Sequence, residues 1–138
     1  IEHDSLSECL NTYFQQSEQL PTRIWLAADG NRASGLLLQA LPVQLQSPEQ
    51  RSELWQHLSL LADTLKPDEQ VALGHEEQLH RLFHQEALQL FEPTSLQFSC
   101  TSTNSVPRKQ YSCLSTCHRP CIKALVFSLR PEFVFWHN

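Results

Sequence analysis

Four of the chain's five cysteines fall in the stretch FSCTSTNSVPRKQYSCLSTCHRPC, Phe98 to Cys121, with His118 beside Cys117. Thiolates and imidazoles are the ligands of structural zinc, and such sites take them as two close pairs, because each pair on a tight turn can aim at one ion. Here the spacing is C-x12-C-x3-C-x3-C, and C-x2-C is absent. Cys113 with Cys117, or Cys117 with Cys121, could chelate as i, i+4 pairs on a helix, but Pro120 opposes a helix there. A zinc site built from Cys113, Cys117, Cys121 and His118 is therefore the weaker reading of this cluster.

His80 and His84 repeat the i, i+4 spacing of zinc proteases, but His80 is followed by Arg81 where such a motif needs glutamate. A solvated face opposite Leu79, Leu82 and Phe83 explains them better. With three glycines in the chain there is neither a nucleophile elbow nor a phosphate-cradling loop. Cys9 falls on an apolar helical stripe, the place of a small buried hydrophobe. The sequence therefore argues against an enzyme.

The elements that position these residues follow from periodicity. Leu6, Cys9, Leu10, Tyr13 and Phe14 mark an amphipathic helix behind a cap at Asp4 or Ser5. RIWLAA (23–28) and SGLLLQAL (34–41) flank the turn chemistry of DGN (29–31) and read as a hairpin. From Pro48, the residues Leu54, Trp55, Leu58, Leu61 and Leu65 form one apolar stripe with Ala62 as its small member. Two shorter helices, PDEQVAL and HEEQLHRLFHQE, come next, and LQLF (88–91) and SLQFSC (95–100) read as short strands. Beyond them Pro107, Pro120 and Pro131 punctuate a tail in which no period is sustained.

A hydrophobic fraction of 41% over 138 residues is enough for one modest core. No apolar run reaches membrane-spanning length, and the start lacks a signal-peptide profile, so a soluble cytosolic protein is expected. The net charge of −5 opposes nucleic-acid binding. That total hides a break: residues 1–101 carry −9 and residues 102–138 carry +4.

The run YFQQSEQLPTRIWLAADGNRASGLLLQALP (13–42) resembles the heat shock protein 33 family of redox-regulated holdase chaperones. ECLNTYF, LSLLADTLKPDE, LHRLFHQE and FEPTSLQFSCT resemble the same family in the same order, over residues 1–101. The resemblance implies an α+β fold. Residues 1–47 would be the C-terminal remnant of the core domain, a helix plus a hairpin. Residues 48–97 would be the helical linker with two short strands, and 98–138 a degenerate redox-switch region with an irregular tail in place of the zinc domain. It also implies ATP-independent binding of unfolding client proteins under oxidative stress, through a linker stripe here at Leu54, Trp55, Leu58, Leu61 and Leu65. Family members hold zinc on a C-x-C and a later C-x-x-C, release it as disulfides form, and can dimerise.

The chain departs from that pattern at the switch. Cys100-Thr101 is followed by Ser102, and no later C-x-x-C occurs. One deleted base in a family-like Cys-Asn-Lys-Gln-Arg-Ser-Glu coding stretch translates as Ser-Thr-Asn-Ser-Val-Pro-Arg, which is residues 102–108 here. A shifted frame thus accounts together for the lost cysteine, the charge reversal and the aperiodic tail. Cys100 becomes the surviving family ligand, and zinc is expected to be absent or weakly bound. With most of the core's sheet missing, the helices of 48–85 are expected to be loosely held and exposed.

Overall fold

The structure is a computed structural model that describes residues 5–17, 19–41, 47–86, 88–92, 94–97, 110–118 and 122–129. Helix α1 (Leu6–Ser17) starts at Ser5, whose hydroxyl accepts from the Glu8 amide at 3.2 Å. Strands β1 (Thr22–Ala28) and β2 (Ala33–Ala40) form the expected antiparallel hairpin. At its turn Gly30 takes φ +88°, a left-handed conformation that suits glycine. The Asp29 carboxylate accepts from the amides of Asn31 at 3.0 Å and Arg32 at 2.7 Å.

Those two backbone bonds hold the Asp29 carboxyl below its ordinary value of 3.8. A depressed folded value means that the stabilisation is fully present above the unfolded value and is lost as the pH falls through the folded one. In an NMR pH titration, the Asn31 and Arg32 amide resonances should therefore move together with a midpoint below 3.8. A midpoint at or above that value would contradict the turn geometry.

Helix α2 (Pro48–Asp63) begins with a capping box: Ser47 Oγ accepts from the Gln50 amide, the Gln50 side chain accepts from the Ser47 amide, and Pro48 fills the first turn. Helices α3 (Pro67–Ala72) and α4 (His75–Phe83) start where Glu69 and Glu77 reach back to the amides of Lys66 and Gly74. Strands β3 (Leu88–Leu90) and β4 (Thr94–Gln97) follow, then β5 (Gln110–His118) and β6 (Ile122–Leu129).

The expectation of an irregular tail is corrected for residues 110–118 and 122–129, which are strands; the rest of 98–138 lies outside the described residues. β5 and β6 pair with each other, β6 lies against β2, and β3 and β4 both pair with β5, so the described strands form one antiparallel sheet in the order β1-β2-β6-β5-β3. QYSCLSTCH and IKALVFSL contain no proline, and IKALVFSL carries the β-formers Ile122, Val126 and Phe127; Pro107, Pro120 and Pro131 all fall outside the two strands.

One face of this sheet carries the core. Leu36 and Leu38 of β2 and Ala124 and Val126 of β6 meet Leu58, Ala62 and Leu65 at α2 and Leu79, Leu82 and Phe83 of α4. The free edge of β1 is covered by α1. Asn11 donates to the Ile24 carbonyl at 3.1 Å and accepts from the Ile24 amide at 2.8 Å, and Ser7 Oγ accepts from the Leu26 amide at 3.2 Å. Side chains thus take the place of a neighbouring strand and blunt an edge that would otherwise recruit one.

Candidate functional site

The stripe expected to bind clients is seated on the sheet. Leu58 and Leu65 are buried, Ala62 is fully buried, and Leu54, Trp55 and Leu61 are half-buried against the same cluster. The expectation that the helices of 48–85 are loosely held and exposed is therefore corrected. It rested on a missing packing surface, and β2 with β6 supplies one.

Polar contacts fix the helices to the sheet. Asp63, at the end of α2, accepts from both terminal nitrogens of Arg23 at 3.2 and 2.9 Å and from Trp25 Nε1 at 2.9 Å, while the Arg23 guanidinium lies 4.7 Å from the Trp25 ring centroid. His57 Nε2 and Glu86 Oε1, 2.9 Å apart, tie α2 to the chain after α4. Gln70 donates to the Trp25 carbonyl at 2.8 Å. Gln78, 1% exposed, donates to the carbonyls of Gln70 at 2.8 Å and Leu73 at 3.2 Å and to Ser34 Oγ at 3.3 Å.

Gln78 thereby caps the end of α3 from the neighbouring helix and pins both to the hairpin. Its own Oε1 is buried without a hydrogen-bond partner. Burying such an atom costs about 1–3 kcal/mol, so this joint is strongly donated and incompletely satisfied at once. Sequence periodicity had no means of finding it, because Gln70 and Gln78 are polar residues on core-facing positions.

Apolar surface stays available elsewhere. Tyr13 is 54% exposed, Leu60 66% and Phe91 44%. Beside Tyr13, a cleft of about 330 Å³ is lined by Phe14, Gln19, Leu20, Pro21, Arg23 and Trp55, among others. Trp55 therefore faces both the core cluster and this cleft. Leu60 lies off the stripe that the sequence singled out.

The cysteine cluster is described in part. Cys100 and Cys121 lie outside the described residues. Cys113, Cys117 and His118 are on β5, where only the backbone is described: Cys113 is opposite Phe127 and Thr94, Cys117 opposite Lys123 and Gln89, and His118 opposite Ile122 and Leu88. Four residues along a strand span about 13 Å, against roughly 6 Å of rise for the same spacing on a helix. β5 as a strand thus separates Cys113 from Cys117, and the i, i+4 chelation geometry available on a helix is absent from it. Among the described residues no group of three or more His, Cys, Asp or Glu is placed to hold a metal ion. His80 is 59% exposed on α4, opposite buried Leu79, Leu82 and Phe83, as the solvated-face reading expected.

Among the described residues no helix is long and apolar enough to cross a membrane. The chain's residues 1–109 match the profile of the family described as "Hsp33 protein". Among curated proteins, the "33 kDa chaperonin" of Pseudomonas paraeruginosa is 57% identical over 102 residues, covering 73% of this chain and 34% of that protein. The protein of the same name from Azotobacter vinelandii is 56% identical over 99 residues, covering 71% of this chain and 33% of the relative. That of Shewanella denitrificans is 50% identical over 101 residues, covering 73% and 34%. The chain thus spans about a third of the length of the curated relatives it matches. With the match running through α1, the β1–β2 hairpin and the three helices packed on it, the chain belongs to the Hsp33 family.

Proposed function

We propose that this chain acts as an ATP-independent holdase, binding unfolding proteins in the cytoplasm through apolar surface of its helical segment, with an impaired redox switch. The observation that carries this reading is the family match over 1–109, which takes in every described helix. Leu54, Trp55, Leu58, Leu61 and Leu65 would engage clients when α2 lifts from the sheet, and exposed Tyr13 and Leu60 are available before it does. The test is light scattering from a thermally unfolding client such as citrate synthase, with the protein pretreated with thiol or with peroxide. The reading expects suppression that changes little with oxidant. A strong, thiol-reversible gain on oxidation would mean that a working switch persists despite Ser102. No suppression in either state would leave an inactive remnant.

The zinc reading is tested separately. Cys100 is proposed as the surviving family ligand. A partial ligand set cannot offset the entropy of ordering the segment that carries it. The purified, reduced protein should therefore bind less than one equivalent of zinc. One tight equivalent, with thiolate-to-cobalt absorption lost on replacing Cys113, Cys117 and Cys121 by serine, would establish a metal-binding module instead. The frame-shift proposal is checked by reading the nucleotide sequence after codon 101 in all three frames for a C-x-C and a C-x-x-C.

A further inference from the structure

β2 and the helices that roof it, α2 and α4, lie inside the family match, whereas β6, the strand seated beside β2, lies wholly outside it. Matched residues therefore build a seat that residues beyond the match fill.

That seat recognises its occupant in two ways. The main-chain ladder of β2 runs without a break from Ala33 opposite Leu129 to Ala40 opposite Ile122, and ladder bonds are indifferent to side-chain identity. The second recogniser is a period of two. Leu36 and Leu38 are 0% and 1% exposed, and the residues opposite them, Val126 and Ala124, are 0% and 3% exposed under the helices. An occupant must be extended and must place a small or medium apolar residue at every second position. Of the described side chains of β6, residues 124–126, the buried ones are Ala124 and Val126, both small or medium and apolar.

We propose that the β2 edge is a strand-acceptor site for extended, alternately apolar segments of unfolding proteins, with β6 as its occupant at rest. A client strand exchanges for β6, continues the β1–β2 sheet on its open side, and takes the two buried places under α2 and α4. The proposal rests on the holdase reading and gives it a site distinct from the α2 stripe.

The probe is a labelled peptide of sequence IKALVFSL with two added N-terminal lysines, and the control is IKAPVPSL, in which prolines at the places of Leu125 and Phe127 remove two donors that face β2 while the two buried apolar residues are kept. The Ile24 and Leu26 amides turn to α1, so the odd-numbered residues of β2 and their partners on β6 make the shared ladder. Peptide is used in large excess, because a tethered occupant competes at an effective concentration on the order of 1 mM. Anisotropy should show saturable binding at least tenfold tighter than the control. Hydrogen exchange of the full chain in the complex should rise several-fold at 122–129 while 33–40 stays protected. Absent binding, equal binding of the proline control, or unchanged exchange at 122–129 in the bound state would overturn the proposal. A Leu125→Pro variant, which removes a donor to β2, should bind the peptide at least tenfold more tightly when it retains its helical circular dichroism; if it fails to fold, the exchange result on the unaltered chain decides. Suppression of client aggregation with 122–129 still protected would sink this site and spare the holdase reading. Exchange at 122–129 without any suppression would do the reverse.

Discussion

Leu79→Ala should lower the free energy of unfolding by about 2–5 kcal/mol, the cost of deleting a buried leucine and leaving a cavity that collapses only in part. Leu79 is 0% exposed in the cluster where α4 meets β2, β6 and α2. Leu60→Ala, one helix away on a side chain that is 66% exposed, should stay within about 0.5 kcal/mol. Urea unfolding followed by tryptophan fluorescence distinguishes the two, because Trp25 and Trp55 both pack against that cluster. Equal and small effects would mean that α4 is not seated on the sheet. The comparison matters for function, since a stripe that is buried at rest must be released before it can hold a client.

Gln78→Glu should destabilise the chain by about 3–5 kcal/mol at neutral pH, as an uncompensated buried charge does. The two hydrogens of the Gln78 side-chain nitrogen serve two carbonyls at the end of α3, with the hydroxyl of Ser34 also within reach, and a carboxylate would set acceptors against both carbonyls. Burial and facing carbonyls raise the folded pKa of the introduced carboxyl above its unfolded value. The penalty should therefore be present at neutral pH and diminish as the pH falls through the raised value, where the protonated group regains a donor. Thermal melts of the variant between pH 7 and pH 5 should show its deficit shrinking relative to the unaltered chain. A deficit that is constant with pH would mean that the site is open to water.

The helices and the first hairpin were legible because each rests on a local signal. Pro48 and Ser47 open α2, DGN turns the hairpin, and Leu79, Leu82 and Phe83 define the inner face of α4 at helical spacing. What escaped was non-local. The cluster that covers Leu58 and Leu65 includes, beside β2 and α4, two residues of β6 more than fifty residues later in sequence, and a pairing at that separation leaves no periodic trace. The tail misled because its prolines and serines suit a disordered segment equally well, and the decision between disorder and strand rests with the partner edge of β2. The Gln78 joint was invisible for the opposite reason: a glutamine in a helix scores as surface until a neighbouring helix end needs its donors.

Binding of a permanently unfolded protein tests the central claim most directly, because it needs no heat that would also melt the chain. The measurement is fluorescence anisotropy of labelled α-lactalbumin, reduced and carboxymethylated, titrated with the full chain and repeated with the native, calcium-bound form. The account predicts saturable binding of the unfolded form and none of the native one. Absence of binding to the unfolded form, or equal binding to both, would contradict it.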